Sequence, residues 1–436
     1  MSQGRFVIRG GRVVDPRHGV DRVAHLLCED GRVVGLTSEL STEWLAARHL
    51  DAEGRLVAPG LVDLRTHVGE PGEEWKEDLA SAARAAVAGG FTTVCATPDT
   101  TPCHDTRAVT ELVTTRAARA HGARVLPVGA ATVGLEGVQL TEMGDLADAG
   151  CVAVSTGELP LPSAKMTRRV LEYARSVGLP LLTVAMDPSL GKDAMMHEGQ
   201  VSLRLGMRAV PGVAEAIGLF RDGSIATLVG HRVHFHRVAS REALPVLARF
   251  KDAGVPVTAD VTPHHLWFTE DVIASFDTNA RLQPPLRAEA DVRALRDALD
   301  QGLIDAVATD HRPQSSVEKL REFESAGPGT VGLETALPVL LELVRQGALS
   351  LPRALAALSD GPARVLGQSE MGHLAAGARA DVVVVDVDSP YLVDPTRLVS
   401  RSRNCLFSGQ SLTGAVVATV VGGRVFVEGE EVVHVV

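Results

Sequence analysis

Long apolar runs are missing from this chain of 436 residues. No stretch of about 18 apolar residues occurs, which excludes a membrane-spanning helix. The N-terminal MSQGRFVIRGG lacks the charged, apolar and small-residue regions of a secretory signal, so the cytoplasm is the expected compartment. Cysteine is scarce: Cys28, Cys95, Cys103, Cys151 and Cys405 are odd in number, scattered, and form no C-x-x-C. That argues against a disulfide framework and a thiolate metal site and leaves them as small buried residues. An excess of positive charge is also absent, and a net charge of −11 disfavours a broad nucleic-acid or membrane face. What is there, 45% hydrophobic and 22% charged residues, suffices for one large globular domain plus a smaller one.

Residues 5–57 predict short strands with Gly turns, Glu29-Asp30-Gly31 marking a hairpin. From 58 to about 368, apolar β-rich segments alternate with helical windows such as 78–90 and 241–254. The β-rich segments are LVDL (61–64), FTTVCAT (91–97), RVLPVGAAT (124–132), CVAVST (151–156), PLLTVAM (180–186), RVHFHRV (232–238), VPVTADVTP (255–263) and IDAVATD (304–310). Eight parallel strands with crossover helices predict a (β/α)8 TIM-type barrel with its site at the C-terminal strand ends. The segments 380–388 and 414–433 return to strands. Hence the expected organisation is a small discontinuous β-sandwich domain from residues 1–57 and 369–436 around a barrel at 58–368.

PGLVDLRTHVGEPG at 59–72 carries the strongest chemical signal. Side chains alternate along a strand, so positions 65, 67 and 69 share a face, and H-x-H there would clamp a metal. The residues present are Arg65 and His67. A guanidinium has no lone pair to give and stays protonated, so Arg65 repels a cation where a histidine would bind it.

Together with AAVAGGFTTVCATPDTTP (85–102), VTPHHL (261–266), QPPLRAEADVRALRDALDQGLIDAVATDHRP (283–313), VGLETALPVL (331–340) and DGPARVLG (360–367), this motif resembles the dihydroorotases of the amidohydrolase superfamily. The resemblance covers nearly the whole chain. It implies interconversion of carbamoyl aspartate and dihydroorotate in pyrimidine synthesis, with one or two zinc ions polarising the amide carbonyl and activating water and a strand-end Asp moving the proton. Of the implied ligands, His67 and Asp310 are retained; those at Arg65, Thr156 (with Gly157), Val184 and Arg237 are lost, although His234 and His236 blur the last position. Two ligands leave zinc underbound. Among the implied substrate contacts, an Arg falls at Gly69, an Asn at Asp99 and a His at Gln314, whereas Asn279 still matches. Asp99 would repel an anionic substrate.

Asp310, the relic of the proton-transfer position, is expected to face Arg65 and Arg237 in a partly buried ion network, guanidinium replacing metal charge. The competing expectation is a weak mononuclear site from His67, Asp310 and a nearby histidine. His234 and His236 share a strand face at H-x-H spacing and are either a leftover metal pair or polar strand-end residues. His264 and His265 are expected at a strand end, pointing oppositely; His197 and Glu198 in a loop; Asp187 as a turn or cap before Pro188.

Two functions follow. Segments 134–154 and 402–414 look closer to the non-catalytic pseudo-dihydroorotases that assemble with aspartate transcarbamoylase catalytic chains, which implies an oligomeric scaffold without zinc. The alternative is an active, zinc-dependent dihydroorotase or related cyclic amidase with an altered site.

Overall fold

The eight apolar segments become the strands of one parallel barrel in a computed structural model that describes residues 4–191, 194–428 and 431–432. The barrel strands are, in order, Leu61–Thr66, Phe91–Ala96, Arg124–Ala130, Ala153–Ser155, Leu181–Val184, Val233–His236, Val257–Val261 and Ala306–Val307. Each pairs with the next in sequence. Strands covered on both faces must be apolar on both, which is why they run as continuous hydrophobic stretches instead of alternating. The first two are buried at every position.

Local signals set the crossover helices. Asp78 caps Leu79–Ala88, its carboxylate accepting from Ser81 N while the Ser81 hydroxyl accepts from Asp78 N. Ser163 caps Ala164–Val177, which ends on Gly178 at φ 75°. The 241–254 window forms a short turn at Arg241–Ala243 and a helix at Leu244–Asp252.

The barrel closes through a side chain. Asp63, fully buried on the first strand, accepts from the Thr309 amide at 2.7 Å, from the Thr309 hydroxyl at 2.9 Å and from the Thr66 hydroxyl. Burial pushes its carboxyl up to about 7, the three donors drawing it part of the way back. The His67 amide adds a bond to the His311 carbonyl at 2.9 Å.

Both chain ends contribute to a second, nine-stranded sheet. Leu56–Pro59 pairs antiparallel with Val382–Leu392, so the N- and C-terminal halves join there, and this strand straddles the expected boundary after residue 57. The nine strands form one continuous sheet with its own apolar core, including Ile8, Leu26, Val57, Val382 and Val420. Asp30 and Gly31, at φ 48° and 77°, make the expected hairpin turn. The expected 414–433 strand segment is seen as Ser411–Val421, Arg424–Glu428 and Glu431–Val432, with 429–430 and 433 outside the described residues. All five cysteines are free, four of them buried. Among the described residues no helix is long and apolar enough to cross a membrane.

Asp63→Ala is expected to lower the unfolding free energy by about 2–4 kcal/mol, since it strands buried donors and opens the barrel seam. Urea denaturation against wild type measures this.

Candidate functional site

The C-terminal strand ends converge on Glu158, three residues beyond the fourth strand. Its carboxylate takes Arg65 Nη2, Arg237 Nη1 at 2.9 Å and Arg312 Nη1 at 2.8 Å. Asp310 Oδ1 accepts from Arg65 Nε at 2.8 Å and lies 3.4 Å from Arg237 Nη1. The expected ion network between Asp310, Arg65 and Arg237 is therefore present, and the side chains of both arginines are 0% exposed. Burial would raise the Glu158 pKa, but the charges of Arg237, Arg312 and Arg65 and the contact with His67 hold it well below the ordinary range.

His67 stands between two carboxylates, Nδ1 at 2.9 Å from Asp99 and Nε2 at 3.1 Å from Glu158, the second off the line of a hydrogen bond. Burial would lower its pKa; Asp99, and then Glu158, overcome that and raise it. Arg65 and His67 thus converge as expected, but the strand ends at Thr66 and the alternation does not reach Gly69. Gly69 sits at φ 65°, where a Cβ would lie 2.5 Å from the Glu77 carbonyl oxygen, so no side chain can extend from it.

Of the other positions, Thr156 places its hydroxyl 3.4 Å from that of Thr183, and Val184 packs with Met186, Val210 and Ala214. Asn279 lies in a short turn at Thr278–Ala280, its amide donating to Asp277 Oδ1 at 2.9 Å, and lines neither cavity at the barrel mouth. His234 and His236 do share a face, and a buried carboxylate explains them: Asp260 Oδ2 is 2.9 Å from His234 Nε2 and 2.5 Å from His236 Nδ1. Burial, against the pull of Asp260, brings His236 down to about 4. Asp260 Oδ1 also accepts from the Arg237 amide at 2.6 Å, which fixes the backbone under that guanidinium.

Three expectations are corrected or sharpened. His264 and His265 are not at a strand end; Thr262 caps a helix at Pro263–Trp267, and both imidazoles are buried. Pro at the first helical position after a Thr was the local signal for it. His197 is in a two-residue strand, Met196–His197, paired with Ala209–Val210, and not in a loop. Asp187 Oδ1 accepts from Ser189 N at 2.9 Å at the start of Pro188–Gly191, as a cap should. Glu158, Arg312, Asp260 and Asp63 are the interacting residues that sequence reasoning missed.

His67, Glu158 and Asp310 bring ligand atoms within 4.8 Å of one another and would be the groups to hold a zinc ion. The fit is poor. Both Glu158 oxygens and Asp310 Oδ1 already accept from fixed guanidiniums. A dication roughly 4 Å from one guanidinium meets about 8 kcal/mol of repulsion even at an effective dielectric of about 20. Among the described residues Arg65 Nη1 and Arg237 Nε and Nη2 have no hydrogen-bond partner, so the centre has cationic donors to spare.

Glu158 separates two cavities. One, of about 260 Å³, is polar and bounded by His67, Gly69, Asp99, Arg312 and Gln314. The other, of about 740 Å³, opens on Thr156 and Val184.

Residues 56–426 match the amidohydrolase family. A protein of Anaeromyxobacter dehalogenans strain 2CP-1 named dihydroorotase is 47% identical over 97% of this chain and 98% of its own length. One of the same name from Syntrophotalea carbinolica is 42% identical over 97% and 98%. Among solved structures, the L-hydantoinase (dihydropyrimidinase) of Arthrobacter aurescens superposes with a TM-score of 0.88 at 24% identity, covering 98% of this chain and 97% of that one, a likeness of fold.

Glu158→Gln is expected to cost about 3–5 kcal/mol in urea denaturation, because it leaves buried guanidiniums undercompensated. His67 has the opposite pH signature. Its raised folded pKa gives stability that is complete below about 6.5, the unfolded value, and is lost as pH rises through the folded one. The wild-type advantage over His67→Gln should therefore shrink as pH rises above about 6.5.

Proposed function

This chain belongs to the amidohydrolase family, and we propose that it is a dihydroorotase-like protein of pyrimidine synthesis that works without zinc or catalysis, as an assembly subunit for aspartate transcarbamoylase catalytic chains. The observation that carries this reading is the pair of buried guanidiniums, Arg65 and Arg237, sharing Asp310 Oδ1 at 2.8 and 3.4 Å. They supply positive charge where the reaction needs a Lewis acid with an open coordination position. A guanidinium offers neither, so no bound water becomes a nucleophile at neutral pH. The substrate side agrees: Gly69 has no room for a side chain, and Asp99 is committed to His67. The transcarbamoylase partnership rests on the likeness of segments 134–154 and 402–414 to the non-catalytic group.

A second reading, an active cyclic-amide hydrolase, rests on the approach of His67, Glu158 and Asp310 to within 4.8 Å and on the name of the relatives. Elemental analysis of purified protein paired with a dihydroorotate ring-opening assay separates the two. Trace zinc, no turnover and co-elution with the transcarbamoylase catalytic chain are expected; stoichiometric zinc with turnover would establish the second reading. Arg65→His alone should leave the protein inactive, since Thr156, Val184 and Arg237 still provide no ligand.

A further inference from the structure

The larger cavity is built unlike a metallohydrolase site. Its volume, about 740 Å³, falls in the range that holds whole small molecules. Leu135, Leu159, Leu161, Met186, Met195 and Leu282 supply an apolar lining. Thr156 and Val184 extend it to the strand ends, so two expected metal-ligand positions have become wall.

One cation on that wall has no ion-pair partner among the described residues. Arg281 Nε donates to the Ala326 carbonyl at 2.6 Å, which fixes the guanidinium plane, and no carboxylate lies within ion-pair distance of it among the described residues. Half-burial lowers its pKa, with Glu324 offsetting only part of the cost. A fixed guanidinium beside an apolar wall, with terminal N–H groups unspent, is a recogniser for a planar oxyanion. Three carboxylates also line the cavity, Glu136, Glu158 and Glu324; Glu158 is neutralised by Arg65, Arg237 and Arg312, which leaves Arg281 as the cation open to a ligand on the wall formed with Leu282.

We propose that this cavity binds an amphiphilic organic anion, a carboxylate on an aliphatic or aromatic body, with Arg281 holding the carboxylate and the leucine and methionine wall taking the body. The ligand acts there as an effector or a stabilising ligand. This rests on the metal-free reading above, because Thr156 and Val184 count here as wall.

The test is fluorescence titration of the intact protein with anilinonaphthalene sulfonate, displaced by octanoate or by octanol, its neutral counterpart. One site per chain is expected, with octanoate at least about tenfold stronger than octanol, because only the anion meets Arg281. Arg281→Gln should weaken octanoate about tenfold and leave octanol within about twofold. Equal competition by the two probes, or an unchanged octanoate affinity in folded Arg281→Gln, would overturn the proposal. Should Arg281→Gln fail to fold, Leu159→Asp decides, because Leu159 is 60% exposed at the rim and tolerates change. It should weaken octanoate by like-charge repulsion, and unchanged affinity overturns the proposal equally. Repeating the titration with zinc and with chelator separates the two readings. Stoichiometric zinc uptake with Arg281-dependent octanoate binding intact would overturn the metal-free reading and support the pocket; Arg281-independent binding in metal-free protein would overturn the pocket alone.

Discussion

One carboxylate holds the barrel mouth together. Guanidiniums from the first strand, from just past the sixth and from just past the eighth all reach Glu158, which comes from the loop after the fourth. Each arginine taken from water costs several kcal/mol unless paired, so the placement of Arg65 and Arg237 depends on this one acceptor and on Asp310. The backbone bends to serve it. Arg237 and Asp310 are non-glycine residues at φ 57° and 48°, a conformation costing roughly 1–2 kcal/mol for each. Ion pairs at the tips, and the grip of Asp260 on the Arg237 amide, offset that strain.

The barrel was legible because its strands are buried on both faces and declare themselves as short apolar runs between helical windows. The pairing of Arg65 and Arg237 with Asp310 was legible because strand ends of one barrel must converge and opposite charges there cannot stay apart. Glu158 was not legible because it lies in the loop beyond the fourth strand, past Thr156 and Gly157, and a loop carboxylate has no periodicity to mark it. Asp260 escaped for a different reason. Its partner His234 is 26 residues away, and only the parallel register that sets His234 beside Thr258 brings the imidazoles to the carboxylate. The helix at Pro263–Trp267 had a local signal, Thr followed by Pro, but the adjacent histidines drew the strand outward past its true end.

A guanidinium and a metal ion both bring positive charge to a barrel mouth, but they differ in how much and in what that charge can do. A zinc ion concentrates two positive charges on an atom with an exchangeable coordination position, and catalysis uses that position. Arginine spreads one charge over a planar fork of donors aimed at particular acceptors. At this barrel mouth Glu158 and Asp310 accept from such forks, and the Arg237 backbone is anchored by its own buried bond to Asp260. The result favours one fixed arrangement over an exchanging one. A centre of this kind holds strands together and shapes the cavities on either side, and its remaining donors favour an anion. The same positions therefore bear on both questions: Thr156 and Val184, which offer no good metal ligand, are also part of the wall of the larger cavity.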